Sequence, residues 1–160
     1  MTYDYALMKS PVGNLHLFAS QTHLVAVIFD KNILEAKNKY GQVPSKKNPI
    51  LQETIKQLTE YFELKRKKFD LPIELIGTDF QKSVWMALTK IPYGQTKSYQ
   101  EQAILIQKPK AMRAVGRTNG LNPVSIIIPC HRVIGKSGKL TGYGGGLEIK
   151  EKLLMLEQNS

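Results

Sequence analysis

Cysteine occurs once in this sequence, at position 130, and its neighbours decide what it can do. Pro129 precedes it, and His131 and Arg132 follow it directly. The nucleophilic form of cysteine is the thiolate. An ordinary thiol, with a pKa of about 8.5, is only a few per cent ionised at neutral pH, and an adjacent imidazole or guanidinium raises that fraction. A soft sulfur anion of this kind suits displacement at carbon. A lone cysteine makes no internal disulfide and no multi-cysteine zinc site, so Cys130 is either an inert packed thiol or a reactive one, and the residues alone leave both open. Consecutive residues of a strand face opposite ways, so Cys130 and His131 can cooperate, directly or through a bridging water, only if the chain bends there, as Pro129 would allow.

The elements that must position this group are legible from pattern. Val124-Ser125-Ile126-Ile127-Ile128 is β-branched and apolar, which predicts a short buried strand delivering Pro129-Cys130-His131-Arg132 to its end. Upstream, Thr78-Asp79-Phe80-Gln81 fits a capping box, and Phe80, Val84, Leu88 and Ile91 mark one face of a helix that Pro92 ends. A second box, Ser98-Tyr99-Gln100-Glu101, opens a short helix through about Ile106. After Gln107-Lys108-Pro109 a third helix runs from about Lys110 to Thr118, with Asn119-Gly120 to stop it. Two short helices joined by a tight loop make a candidate helix-turn-helix. Downstream, Gly142-Tyr143-Gly144-Gly145-Gly146 is either a flexible loop or a place where backbone approaches a flat ligand closely. Ile149, Leu153, Leu154 and Leu156 form the apolar side of a closing helix that ends near Glu157.

The earlier residues read differently. Tyr3 to Lys9, Leu15 to Ser20 and Leu24 to Phe29 alternate or run apolar, with turn residues Ser10 to Asn14 between the first two, which predicts a small antiparallel sheet. Asn48 to Leu64 has helical period, and Lys65-Arg66-Lys67-Lys68 reads as a helix end or solvated loop. A boundary at Ile76-Gly77 divides the chain into residues 1–76 and 77–160.

Lys and Arg number 23 against 13 Asp and Glu, a net charge of +10 and a pI near 9.7. Residues 77–160 hold 12 basic and 5 acidic side chains, so the excess lies mostly there. An acidic partner is expected, with nucleic acid ahead of anionic lipid because no strongly amphipathic basic helix stands out. The opening residues lack a secretory pattern and no apolar run reaches the ~18 residues that span a bilayer, which points away from membranes and toward the cytoplasm.

Pro129-Cys130-His131-Arg132-Val133 resembles the acceptor motif of the 6-O-alkylguanine-DNA alkyltransferases. The similarity continues, in order and spacing, through Gly77 to Gln81, Val84-Trp85, Ile91 to Thr96, Ser98-Tyr99, Arg113 to Gly116, Asn122-Pro123, Gly142-Tyr143, Gly145-Gly146, and Lys150 with Leu153-Leu154 and Glu157. It is essentially continuous from about residue 77 to 157. Before that it rests only on Ser10-Pro11-Val12-Gly13 and Leu24-Val25-Ala26.

The resemblance implies a two-part α+β protein, with a small ribonuclease-H-like amino-terminal sheet over 1–76 and a helical DNA-binding and acceptor domain with a helix-turn-helix over 77–160. It implies DNA repair by one irreversible transfer of a methyl or alkyl group from the 6-oxygen of guanine to Cys130, with 4-O-alkylthymine as a further candidate substrate. Carried over residue by residue, Cys130 is the nucleophile, His131 takes its proton through water and Glu157 holds and polarises His131. Asn122 pins the turn before the acceptor strand. Tyr99 helps rotate the phosphate and donates a proton to the departing guanine, and Arg113 fills the space left in the stack. Backbone groups at Cys130 and Val133 read the guanine edge, with Tyr143, Gly144 and Gly145 closing over it.

Arg113 and Arg117 lie one turn apart, and Ala114 and Gly116 keep that helix surface low enough for a groove wall to approach, the minor groove by the resemblance, while Lys97, Lys108 and Lys110 extend the basic surface toward phosphates. The implied partner is double-stranded DNA containing alkylated guanine, bound by a monomer without a cofactor. The zinc of some relatives lacks its cysteine ligand here, so no metal is expected. Arg117 and Thr118 stand where the family usually has small residues, and Gly144 where some members have a serine. Three other readings fit less well. A damage-binding module without repair activity would replace Cys130, a thiol hydrolase using Cys130, His131 and Glu157 would turn over many times, and a plain transcription factor would leave the cysteine motif unexplained.

Overall fold

Alternating residues at the start of the chain fold as their pattern predicts. The computed structural model describes residues 2–159, and in it β1 (Asp4–Ser10), β2 (Gly13–Ala19) and β3 (Leu24–Phe29) form an antiparallel meander. Ser10 pairs with Gly13, so the reversal at Pro11-Val12 is tighter than the Ser10 to Asn14 span suggested. Both faces of β2 are covered. Phe18 packs with Tyr3, Val25 and Ala26 and with Ala36 and Tyr40 of α1 (Ile33–Tyr40), while Leu15, Leu17 and Ala19, fully buried, point the other way.

The helix expected near Asn48 is α2 (Pro49–Phe62), packed against β1, β2 and β3. Asn48 both starts it and docks it. Its Oδ1 accepts from the N–H groups of Ile50 and Leu51 at 2.8 and 3.0 Å, and its Nδ2 donates to Asp4 and to the Ser20 carbonyl, each at 2.9 Å. Helix α1 and the short strand β4 (Val43–Pro44), which completes the order β3-β2-β1-β4, were not expected. Only Ala36 and Tyr40 of α1 are buried, too few positions to print a period on a segment rich in charge. The basic run is a loop, with Arg66 held by Glu60 at 2.9 Å and by the Lys68 carbonyl.

The chain divides after Leu75 into two compact units. From Ile76 onward helices dominate, and both expected capping boxes form. Thr78 and Gln81 exchange side-chain and backbone bonds at the start of α3 (Asp79–Leu88). Ser98 and Glu101 do the same for α4 (Tyr99–Leu105), just after β5 (Lys97–Ser98). Caps of this kind contribute about 1 kcal/mol each. Helix α3 stops at Leu88, short of Ile91, which is nevertheless buried.

Helix α5 (Met112–Asn119) completes the helix-turn-helix, and side chains lock its parts together. Gln102 and Asn119 exchange two buried amide bonds of 2.9 and 2.7 Å, Gln102 also donates to the Val84 carbonyl at 3.2 Å, and Trp85 Nε1 donates to the Thr118 carbonyl at 2.9 Å. A buried amide left unpaired would cost about 1 to 3 kcal/mol, so these reciprocal bonds favour one arrangement of the three helices.

The strand expected at Val124–Ile128 is absent. These residues are buried, as their β-branched side chains demand, but they form a tight turn in which the Ile128 N–H bonds the Val124 carbonyl at 3.0 Å and the Ile127 N–H bonds the Ser125 carbonyl at 2.8 Å. Ile126 has φ +72°, a left-handed conformation that costs a β-branched residue about 1 to 3 kcal/mol. Asn122 holds the turn closed, accepting from the Val124 N–H at 3.0 Å and donating to the Ile128 carbonyl at 2.7 Å. β-Branching here reported burial rather than extension. The chain then passes through a 3₁₀ turn, Cys130–Arg132, into β6 (Val133–Ile134), which pairs parallel with β5, and ends in α6 (Leu147–Gln158).

Candidate active site

The 3₁₀ turn supplies the bend that cooperation between Cys130 and His131 requires, because successive side chains rotate by roughly 120° in place of the 180° of a strand. Cys130, His131 and Arg132 are all buried. His131 Nε2 bonds Glu157 at 2.7 Å. Arg132 turns to the same carboxylate, with Nε and Nη2 donating to its two oxygens at 2.8 and 3.1 Å and Nη1 donating to the Ile91 carbonyl at 2.7 Å. Burial would raise the Glu157 pKa, but hydrogen bonds and charge from His131 and Arg132 outweigh it and hold the carboxyl down at about 2.

Glu157 is therefore an anion, and His131 must present a donor to it. Burial lowers the His131 pKa, Glu157 opposes that, and the charges of Arg132 and Lys150 add to it. In the neutral ring Nε2 then carries the proton and Nδ1 is the acceptor. Nδ1 is buried and meets no hydrogen-bond partner among the described residues. This is the arrangement of a base held ready by a second group.

The electrostatics of the thiol differ from the sequence expectation. Burial pushes Cys130 up to about 11, against smaller opposing contributions from Asn122, Lys150, the backbone of its own turn and Tyr143. Arg132 is engaged by Glu157 and is not the thiol's partner. The resting site is thus a neutral thiol beside a neutral imidazole, and the nearby cation is Lys150.

Lys150 was matched in sequence but given no role. Its signal lay in helical spacing: Lys150, Leu153, Leu154 and Glu157 form the buried stripe of α6, so two charged residues occupy positions that an apolar face would fill. Ile149 and Leu156, expected on that face, are only partly buried.

A cleft of about 560 Å³ meets this cluster through Thr141, whose carbonyl accepts from Lys150, while Cys130, His131 and Glu157 do not line it. Tyr99 lines it from α4, Arg113, Gly116 and Arg117 from α5, and Thr141, Tyr143 and Gly144 from the loop before α6. The Tyr99 hydroxyl bonds Thr141 Oγ1 at 2.5 Å. A Cβ on Gly116 would lie in ordinary contact with the Tyr99 ring at 3.5 Å, so α5 and Tyr99 approach closely there. Tyr143 lines the cleft, and its hydroxyl is buried. Gly146, at φ +99°, ends the loop in a turn with Tyr143 and precedes α6, so the glycine-rich segment is partly a helix entry.

Other expected residues stand apart from the cleft. Lys108 and Lys110 are exposed between α4 and α5, Lys97 pairs with Glu101 at 3.8 Å, and Ala114 is half-buried on α5. Val133 is fully buried, and its carbonyl accepts from Lys150 at 2.6 Å. Gly145 is half-buried and does not line the cleft.

Fold and site together define a two-unit α+β protein whose helical unit joins a helix-turn-helix to a buried thiol followed by a histidine that Glu157 holds. The first unit matches the ribonuclease-like domain of 6-O-methylguanine DNA methyltransferase over residues 4–75, and the second matches the DNA binding domain over residues 79–159. A methylated-DNA–protein-cysteine methyltransferase of Methanosarcina barkeri is 48% identical over 156 residues, covering 98% of each chain. The crystal structure of the Mycobacterium tuberculosis O6-methylguanine methyltransferase aligns with a TM-score of 0.89 at 43% identity, covering 99% of this chain and 94% of that one. Mycobacterium tuberculosis OGT in complex with DNA aligns at 0.88 with 45% identity, covering 98% and 93%. The chain belongs to the 6-O-methylguanine DNA methyltransferase family. Among the described residues no helix is long and apolar enough to cross a membrane.

Proposed function

We propose that this protein repairs double-stranded DNA by taking a methyl or other alkyl group from the 6-oxygen of guanine onto Cys130, once per chain. The observation that carries this reading is a buried thiol followed by a histidine whose Nε2 is fixed by Glu157 while Nδ1 stays unbonded, all beside a cleft that the helix-turn-helix lines. The sulfur of Cys130 attacks the alkyl carbon, and an S–C bond forms as the C–O bond to guanine breaks. The thiol proton passes to His131 Nδ1 through a water, and Glu157 steadies the imidazolium so formed. Tyr99 supplies a proton to the departing base, so that in net the thiol hydrogen replaces the alkyl group on guanine. The thioether left on Cys130 has no carbonyl through which water could release it, which makes the transfer a single turnover.

The remaining residues bind and orient. Asn122 keeps the turn before Cys130 closed. Backbone groups of Cys130 and Val133 read the guanine edge, the Val133 carbonyl keeping a second lone pair beyond the one given to Lys150. Tyr143, Gly144 and Gly145 cover the extruded base, and Arg113 occupies the space it vacates in the duplex. Arg117, Ala114 and Gly116 face the minor groove, and Lys97, Lys108 and Lys110 meet phosphates. The segment 77–160 carries all of this, with 1–76 as the ribonuclease-like domain. The protein acts as a monomer in the cytoplasm, and its own residues suffice for the chemistry without metal or cofactor.

Intact mass after incubation with a duplex oligonucleotide bearing one 6-O-methylguanine tests the reading. The expected result is a gain of one methyl group that saturates at one per chain and is lost in Cys130→Ala, with DNA affinity retained. Repeated turnover, or methyl uptake by the alanine variant, overturns it.

A further inference from the structure

The Tyr99 hydroxyl, from which the departing base is proposed to take a proton, is already engaged. It bonds Thr141 Oγ1 at 2.5 Å in the cleft that both residues line, and either oxygen can be the donor. A phenol has one proton to give and keeps acceptor capacity on its oxygen, so the direction of this bond matters. When Tyr99 donates to Thr141, its proton is spent there. When Thr141 donates to Tyr99, the phenolic proton is released toward the cleft.

The surroundings leave little else to move. Against the Tyr99 ring lies the backbone of α5 at Gly116, where an added Cβ would stand 3.5 and 3.6 Å from two ring carbons. Thr141 is held by its carbonyl, which accepts from Lys150 Nζ at 3.1 Å, and by its methyl, which lies over Gly135, 3.5 Å from where a Cβ would be. Among the described residues the Thr141 hydroxyl bonds only Tyr99. With both side chains seated, the two O–H torsions are the freedom that remains, and hydroxyl hydrogens rotate to suit their partners.

We propose that Thr141 is a positioning residue for the proton donor: it aims the Tyr99 proton into the cleft and then steadies the phenolate which that proton leaves behind. The inference rests on the alkyl-transfer reading and on the place of Tyr99 in it. As the S–C bond to Cys130 forms and the C–O bond to guanine breaks, the Tyr99 proton passes to the departing base. The phenolate oxygen accepts from the Thr141 hydroxyl, which keeps its own proton, until it recovers the one that the thiol released to His131. A hydrogen bond aimed at a charge that develops only during the reaction acts on the transition state more than on the bound ground state.

Single-turnover transfer from duplex 6-O-methylguanine, measured in Thr141→Val, Thr141→Ser, Tyr99→Phe and the combination of Thr141→Val with Tyr99→Phe, tests this. Thr141→Val keeps the shape and loses the hydroxyl, and is expected to slow transfer by about tenfold to a hundredfold, the range that one hydrogen bond to a charged group covers. Thr141→Ser is expected to keep most of the rate. Tyr99→Phe is expected to be slow by at least as much as Thr141→Val, and adding Thr141→Val to it to change nothing further, since the threonine then has no hydroxyl to act on. An equal Thr141→Val loss in both backgrounds would mean that the residue only shapes the loop, and would overturn the proposal, as would a Thr141→Val variant as fast as wild type. If Tyr99→Phe matches wild type, the role of Tyr99 falls and the proposal with it, whereas failure of the wild-type protein to accept a methyl group would sink the alkyl-transfer reading itself. Should Thr141→Val not fold, Thr141→Ala in the same two backgrounds decides by the same comparison.

Discussion

Each unit of this protein contains a buried histidine bonded to a carboxylate, and the two pairs are finished differently. In the first unit His16 is bonded through Nε2 to Asp30 at 2.7 Å and through Nδ1 to the Tyr5 hydroxyl at 2.6 Å, while Asn14 also holds Asp30, whose side chain is 61% exposed. In the second, His131 gives Nε2 to Glu157 at 2.7 Å, Nδ1 meets no partner among the described residues, and Glu157, 1% exposed, is gripped from its other side by Arg132. A histidine that serves packing uses both nitrogens and lets water solvate its acid. The proton transfer proposed for His131 needs an acceptor nitrogen in reserve and a carboxylate shielded from solvent, so that orientation and charge persist.

The largest contrast should appear on removing each acid. Glu157→Gln strands a buried guanidinium and should cost about 3 to 5 kcal/mol in denaturant unfolding, together with at least a tenfold loss of transfer. Asp30→Asn removes a solvated partner and should cost less than about 1 kcal/mol with transfer unchanged. Equal losses from the two would erase the distinction.

Acid should act on the second pair in the same sense. The Glu157 carboxyl, at about 2 when folded against an ordinary 4.5, contributes stability that is present above about 4.5 and is lost as pH falls toward 2. His131, held below its ordinary 6.5, is protonated first in the unfolded chain, so its contribution declines as pH falls below that value. Unfolding free energies measured from pH 7 to 3 should therefore fall in wild type, and the Glu157 part of the fall should disappear in Glu157→Gln.

Two smaller effects concern DNA and again separate the units. Arg113→Ala should slow repair of duplex DNA by about tenfold to a hundredfold, equivalent to about 1.4 to 2.8 kcal/mol, and should barely change reaction with the free modified base. Equal slowing on both substrates would mean damage to the pocket. If four or five of Lys97, Lys108, Lys110, Arg113 and Arg117 meet phosphates, log affinity against log salt should have a slope of roughly −4. Neutralising one of them should flatten that slope by about 0.9, whereas neutralising Lys67 or Lys68 in the first unit should leave it as it was.

What could be read from the sequence followed physical locality. The capping boxes at Thr78 and Ser98 are settled within four residues, and both formed. The alternating or continuous apolar runs of β1 to β3 predict a small antiparallel sheet, and it formed, with β2 and β3 buried on both faces rather than one. Val124 to Ile128 misled because β-branching favours both strands and burial, and only Asn122, bonding forward to Val124 and Ile128, decides that a turn forms. The pairing of Arg132 with Glu157 spans 25 residues and overrides the adjacency of Arg132 to Cys130. Helix α1 left too faint a pattern, with only two buried side chains.

The reciprocal amide pair between Gln102 and Asn119 bears on which molecule yields when protein and DNA meet. Helices α4 and α5 are already fixed relative to each other, so their ordering entropy is surrendered at folding and need not be surrendered again at the duplex. The adjustment then falls on the nucleic acid, whose resistance to opening depends on sequence. Pyrimidine–purine steps unstack readily and A-tracts do not. A stiff reader of this kind would reach the same lesion faster beside a TA or CA step than within a run of adenines.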